Sequence, residues 1–286
     1  MITHDFEYFC PVNLEEALAL LVEHKDRNPK LLAGGQSLLP IMKLGLSTPD
    51  VIIDLKHIPS LSYIRMDGSA FKIGALTRHV DICESKELRD SCPMLPSAAE
   101  GIGHQLIRAR GTIGGSLMHC DPRADYLIAL MALEASVVVQ GIHGERIIPI
   151  TEFVRGPFET TVGPDEIMVE VSIPRCEDNG MESLSKFEIG HGDFGLAFVA
   201  TRVWIERDIC KRSVVYVSGI EEFPTRLLEL ESYLQNRRFD DTLNNAIDSS
   251  ISKLNSTDSA SEAFFRRQLV GTLLKRVLSR QTQTGA

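Results

Sequence analysis

Two short glycine pairs are the residues of this sequence best suited to hold a ligand. One lies in Leu31-Leu-Ala-Gly-Gly-Gln-Ser-Leu-Leu-Pro40, the other in Arg110-Gly-Thr-Ile-Gly-Gly-Ser-Leu117. Both sit among apolar residues and both have a serine close behind, Ser37 and Ser116. Glycine carries no Cβ, so backbone N–H groups can converge on an anion, and a nearby hydroxyl adds a donor. The chemistry this allows is capture of a phosphate or pyrophosphate. For either loop alone, a plain turn is the competing reading.

Other nucleotide and metal signatures do not fit. There is no Gly-x-x-x-x-Gly-Lys, which excludes a P-loop nucleotidase. Gly101-Ile-Gly103-His-Gln-Leu106 starts like the dinucleotide fingerprint, but Leu106 stands at the third glycine position and no strand–helix unit frames it. His119-Cys120-Asp121 offers three metal-type side chains, yet consecutive residues converge poorly and no further His or Cys lies at ligand spacing. A structural role is the reading there. Lys43 and Arg78 read as solvated surface cations, whereas Arg108, beside the second loop, is open to a phosphate role. Asp125 opens an apolar run and is either a helix cap or a ligand contact.

The chain that must position these loops has 286 residues, 43% hydrophobic and 24% charged, ordinary for a globular protein. Its formal net charge of -9 argues against nucleic acid, which needs a basic patch. The six cysteines include no Cys-x-x-Cys pair, so no iron–sulfur ladder is legible and free thiols in a reducing cytoplasm are expected. No signal peptide or membrane span is legible.

Asn13 and Glu16 form a capping signature for a helix over 14–24. Short strands are expected at 30–33, 51–55 and 71–74, and helices over 77–90 and 93–107. A buried helix follows over 125–135, then strands at 137–140, 146–149 and 166–174. A polar stretch, Arg175 to Glu182, marks a boundary. Beyond it come strands at 184–189, 196–205 and 211–218 and helices over 225–236, 241–254 and 259–280. Strands followed by helices suggest a separate α+β domain.

Ala33-Gly-Gly-Gln-Ser37, Ile107-Arg108 before Gly111-Thr-Ile-Gly-Gly-Ser116, and Asp121-Pro-Arg-Ala-Asp125 together resemble the FAD-binding medium subunits of molybdenum hydroxylases. That family includes the flavoprotein subunits of carbon monoxide dehydrogenase and xanthine dehydrogenase. The resemblance spans nearly the whole chain, with Lys186-Phe187, His191-Gly-Asp-Phe194 and Phe265-Arg266 joining in. It departs at Ala109, where the family often has Asn, and at Phe194, where relatives can carry Tyr.

The resemblance implies an α+β fold. A two-subdomain FAD-binding domain of the vanillyl-alcohol-oxidase/PCMH type would fill 1–176 (subdomains about 1–57 and 58–176). A smaller C-terminal α+β domain over 177–286 would hold a three-stranded antiparallel sheet plus helices. It also implies that both loops serve one FAD. Leu32, Ala33, Gly34, Gly35, Gln36, Ser37, Leu38 and Leu39 would wrap the pyrophosphate. Thr112, Ile113, Gly114, Gly115 and Ser116 would cover the phosphate and ribityl region, and Asp125 would accept from a cofactor hydroxyl. Ile102, Met168 and Lys186 match further contacts, the last two near the flavin. No catalytic acid or base and no metal is expected on this chain. The implied work is electron transfer, from [2Fe–2S] clusters of a small partner subunit through FAD to an external acceptor. A large partner would carry molybdopterin and the substrate site, and the trimer of chains would pair into a heterohexamer. A self-standing FAD oxidase or dehydrogenase, and a flavin-free scaffold, are the alternatives.

Overall fold

Residues 4–176, 180–239 and 242–283 are described in the computed structural model, and the chain falls into two compact units. The first comprises Met1–Glu84, His104–Asp121 and Glu134–Pro174; the second comprises Ser85–Gly103, Pro122–Leu133 and Arg175–Ala286. The domain boundary expected at 176/177 meets residues 177–179, which lie outside the described residues, as does residue 241 at the start of the helix expected over 241–254.

In the first unit, β1 (Glu7–Phe9), β2 (Pro29–Leu32) and β3 (Val51–Asp54) form a parallel sheet in the order β1-β3-β2. The helix Leu14–Glu23 joins β1 to β2. Its start is held as the sequence suggests: Asn13 Oδ1 accepts from the Glu16 N–H at 2.8 Å, and Glu16 Oε2 accepts from the Val12 N–H at 2.9 Å. Ala17, Leu18 and Leu21 of this helix share a core with Val51 and Ile53. Every residue of β3 is buried, which explains why that strand reads as an apolar run rather than an alternation.

A second sheet in this unit is antiparallel. Its strands are β4 (Ile64–Asp67), β5 (Ala70–Gly74), β6 (Ser136–Gly141) and β7 (Gly144–Pro149), completed after a small hairpin of β8 (Val154–Gly156) and β9 (Glu159–Thr160) by β10 (Glu166–Pro174). The order is β4-β5-β10-β6-β7, so β10 takes the central place between strands made much earlier in the chain. Ile167 of β10 enters the core of the Leu14–Glu23 helix and β3, which ties the two sheets together.

In the second unit, β11 (Met181–Phe187), β12 (Ala197–Glu206), β13 (Ile209–Ser218) and β14 (Thr225–Arg226) form an antiparallel sheet in that order. This corrects the expected three strands to four. Thr225 and Arg226, expected to begin a helix, pair instead with Val217 and Tyr216. Glu231 explains the switch: its Oε1 accepts from the Val215 N–H at 2.8 Å and from Arg226 Nε at 2.9 Å, drawing the segment onto β13. The helices Leu228–Leu234, Leu243–Ser252 and Ala260–Gln283 supply Leu230, Ile247 and Leu274 to a core with Val199, Val203, Val215 and Val217.

Two more helices pack here. Asp125–Ala132 is buried along its whole length and lies against β12, β13 and the helix Met94–Glu100. One buried ion pair clasps them to the sheet. Arg202 Nε on β12 lies 3.5 Å from Glu182 Oε1 on β11, and both side chains are almost wholly buried. Arg202 Nη1 donates to the Leu133 carbonyl at 3.2 Å, and Glu182 Oε2 accepts from the Met94 N–H at 3.2 Å. Burial pushes the Glu182 carboxyl up, against the pull of the Met94 amide and Arg202. Trp204, the one tryptophan of the chain, stacks between Arg202 and Arg212 at 5.3 and 4.6 Å.

The helices expected over 77–90 and 93–107 are each broken. Ser85 stops the first and caps the next, its Oγ accepting from the Leu88 N–H, to give His79–Glu84 and Lys86–Ser91. Met94–Glu100 and Gln105–Arg108 are separated by a turn in which Gly103 has φ of 52°.

Candidate functional site

The first glycine loop leaves the C-terminal end of β2, where a parallel sheet opens its chain turns. Ala33 to Ser37 then turn into a short helix, Leu38–Lys43, so Leu38 and Leu39 are helical rather than part of a loop. Pro40 is tolerated there because a first-turn residue has no intrahelical N–H bond to lose. Gly35 takes φ of 72°, and a Cβ there would come within 2.9 Å of Leu39 Cδ1. Gln36 Nε2 donates to the Gly34 carbonyl at 3.2 Å, folding its side chain back onto the turn.

The two loops meet backbone to backbone. A Cβ on Gly34 would stand 2.2 Å from the Arg110 carbonyl oxygen and 2.7 Å from Gly111 Cα. A Cβ on Gly111 would collide in turn with the His79 ring, 2.6 Å from Nε2. His79 is 4% exposed. Burial, helped by the charge of Arg108, lowers its pKa to about 4, so it supports the seam as a neutral ring. On the second loop, Thr112 caps the helix Ile113–His119. Its Oγ1 accepts from the Gly115 N–H at 3.1 Å.

The two loops differ in what their amides do. The N–H groups of Ile113, Gly114, Gly115 and Ser116 are all engaged, by Thr77 O, Ala75 O, Thr112 Oγ1 and Thr112 O. Those of Gly34, Gly35, Gln36 and Ser37 meet no acceptor among the described residues. The first loop is therefore a cradle of free donors, and the second is its wall. A pyrophosphate fits such a cradle: unpaired amides of half-buried residues at a glycine turn need an acceptor from outside. Met168 of the expected set is buried on β10, next to the bulge that separates it from Glu170 in the β6 register.

Ile102, Asp125 and Lys186 lie in the second unit. Asp125 is 5% exposed and stands at the first position of its helix; the cap position itself is held by Ala124, without a side-chain bond. Lys186 Nζ lies 3.0 Å from Asp125 Oδ1, 2.9 Å from the Gly101 carbonyl and 2.8 Å from Glu188 Oε2. Burial raises the Asp125 pKa, and Lys186 works against that rise. Gly101, half of the false dinucleotide pattern, leaves room for Asp125, since a Cβ there would come within 2.6 Å of Oδ1. Glu188 was not legible as a site residue in the sequence. Its one signal there is its spacing of two from Lys186. His119-Cys120-Asp121 serves the fold: the Cys120 thiol contacts the Gly156 and Glu159 carbonyls, and burial raises its pKa to about 11.

A glycine turn of free amides on a small parallel sheet, beside a five-stranded antiparallel sheet, has the donors that the pyrophosphate of a dinucleotide requires. The comparisons with known proteins make this specific. The family of FAD binding domains in molybdopterin dehydrogenase matches residues 4–176, and the CO dehydrogenase flavoprotein C-terminal domain matches 182–281. The chain is 34% identical over 282 residues to the 6-hydroxypseudooxynicotine dehydrogenase complex subunit alpha of Paenarthrobacter nicotinovorans, covering 96% of this chain and 94% of that one. It is 30% identical to the glyceraldehyde dehydrogenase medium chain of Sulfolobus acidocaldarius, with 96% and 97% covered. Its fold superposes on carbon monoxide dehydrogenase from Hydrogenophaga pseudoflava with a TM-score of 0.90 at 32% identity, covering 96% of each chain. The chain belongs to the FAD-binding medium subunits of the molybdenum hydroxylases. It is thus the FAD-bearing part of an oxidoreductase whose molybdenum and iron–sulfur centres reside on large and small partner subunits. Among the described residues, no helix is long and apolar enough to cross a membrane.

Proposed function

We propose that this chain passes electrons from the [2Fe–2S] clusters of its small partner to an external acceptor, with FAD held at the glycine cradle. The observation that carries this is the run of unpartnered amides at Gly34, Gly35, Gln36 and Ser37, seated against Arg110 and Gly111. These amides would bind the pyrophosphate, and the Ser37 hydroxyl would add a donor. The wall from Thr112 to Ser116 would shape the space and exclude water, its own amides being engaged. Leu32, Ala33, Leu38 and Leu39 would flank the cofactor with apolar surface, as would Ile102 and Met168. Asp125 would accept a hydrogen bond from a cofactor hydroxyl. When bound, FAD supplies a two-electron redox group; the chain's part is to position it and set its surroundings.

Assembly into a heterotrimer that pairs into a heterohexamer, a cytoplasmic location and a domain division near 176/177 belong to the same reading. Substrate choice would rest with the large subunit. Relatives named for 6-hydroxypseudooxynicotine, nicotine, glyceraldehyde and carbon monoxide support an oxidised small-molecule substrate without selecting one.

The test is the visible spectrum of the chain purified with its partners, followed by mass identification of the released cofactor. Stoichiometric FAD, reduced by the partner's substrate and reoxidised by an added acceptor, is the expected result. A colourless chain that also fails to take up added FAD would overturn it.

A further inference from the structure

Residues 75–79 run alongside the second glycine loop and are bonded to it at every other position. The Ala75 carbonyl accepts from the Gly114 N–H at 2.9 Å, and the Thr77 carbonyl accepts from the Ile113 N–H at 3.0 Å. The His79 N–H donates to the Gly111 carbonyl at 2.9 Å. This rail is itself anchored. The Ala75 N–H donates to the Val169 carbonyl at 2.9 Å, next to Met168, and the Thr77 hydroxyl donates to the Tyr63 carbonyl at 2.9 Å.

The rail ends in the His79 ring, and from there three layers touch in sequence. A Cβ on Gly111 would reach 2.6 Å from His79 Nε2 and 2.8 Å from Cδ2. A Cβ on Gly34 would stand 2.7 Å from Gly111 Cα on the next layer. Neither glycine takes a left-handed φ, so closeness and not backbone conformation is what demands glycine at both. The stack therefore has one side chain at its base, the His79 ring, and bare backbone above it.

We infer that the His79 ring is a spacer that sets the separation of the two glycine loops, and through it the affinity of the cradle for FAD. This rests on the reading of the cradle as the pyrophosphate site. His79 is a positioning residue: it acts through Gly111 and Gly34. The thickness of the ring fixes where Gly111 stands, Gly111 and the Arg110 carbonyl fix Gly34, and Gly34 opens the run of donor amides. Volume added at either glycine spreads the loops, and volume lost at His79 lets the second loop fall back from the first. Volume lost in one layer then offsets volume added in the next, a coupling that two independent structural residues would not show.

The chain in complex with its partner subunits, stripped of flavin, is titrated with FAD by the quenching of flavin fluorescence. Thermal melting of the flavin-free complex is the control for folding. G111A is expected to weaken binding about thirtyfold and H79A about tenfold. H79A/G111A should lose less than about fivefold, because the new methyl group enters space the ring has left. H79F, with a ring of similar thickness and no nitrogen, should stay within about threefold of wild type. Where H79A does not fold, the double variant and H79F decide. A double variant that binds as weakly as the product of the two single losses overturns the spacer, and so does H79A binding like wild type. H79F binding as weakly as H79A assigns the role to the ring nitrogens and overturns it too. In all three cases the cradle reading stands if the wild-type complex takes up FAD; a wild-type complex that takes up none removes the proposed function and the spacer with it.

Discussion

The glycine cradle and the ionic clasps of the second unit are opposite ways of making a fixed site. The cradle is built from backbone: Gly34 lies on the Arg110 carbonyl, Gly111 on the His79 ring, and the donors are amides. The clasps are built from charged side chains that reach across the sequence, Arg202 to Glu182 and Lys186 to Asp125 and Glu188. A backbone site fails by steric exclusion and leaves charges untouched. A charged site fails by leaving one ion buried without its partner. The two regions should therefore respond differently to substitution and to pH, and four measurements separate them.

The largest effect is expected at the clasp. R202M leaves the Glu182 carboxylate buried and unpaired, which should destabilise the second unit by about 3 kcal/mol. Urea unfolding followed through Trp204 would read this, and an E182Q/R202M double variant should recover much of the loss. A midpoint unchanged in R202M would mean that the pair is dispensable.

Next is the seam of the cradle. G34A places a methyl group where only 2.2 Å separates it from the Arg110 carbonyl oxygen. Opening the loops enough to admit it should cost about 2 kcal/mol, or roughly thirtyfold in FAD affinity. Equilibrium dialysis would measure it, with the urea midpoint reported by Trp204 expected to stay in place.

Proton binding gives a third contrast. The pKa of His79 falls from 6.5 to about 4 on folding, so the unfolded chain binds a proton that the folded chain refuses in that window. Stability is thus unaffected above pH 6.5, declines as pH falls toward 4 and levels off below. At pH 5 the loss should be about 2 kcal/mol. Melting from pH 7.5 to 4.5, compared with H79Q, checks it; an equal slope in both proteins would assign the effect elsewhere.

The smallest effect is at the wall. T112A removes the cap on the Gly115 amide and should cost about 1 kcal/mol of stability, with T112S close to wild type. Denaturant titration of the three proteins would resolve it.

The same contrast explains how far the sequence could be read. The cradle was legible because the requirement is local: a residue without Cβ must stand at Gly34, Gly35, Gly111 and Gly114, and glycine types announce that need wherever they occur. The capping pair Asn13 and Glu16 is legible for the same reason. The clasps are silent because Glu182 and Arg202 look like surface charges until β11 and β12 pair and bring them to Met94 and Leu133. Glu188 was missed likewise. The fourth strand was hidden because Thr225 and Arg226 have no propensity strong enough to outweigh the helical pattern that follows; only Glu231, bonding to Val215, decides it. The helix Leu38–Lys43 was missed because Pro40 reads as a stop, although a first turn accepts proline.

The central place of β10 has a consequence for how the chain is made. Its partners β5 and β6 leave the ribosome well before it, and neither the five-stranded sheet nor its share of the helix core through Ile167 can close until residue 174 has emerged. The helix Met94–Glu100 waits longer still, for β11, and Asp125–Ala132 for β12 and β13. During that interval the nascent chain presents open strand edges and an apolar helix with nothing to cover them. A message truncated between residues 150 and 165 should therefore yield a product that aggregates or is held by chaperones, even though every residue of the cradle has already been synthesised.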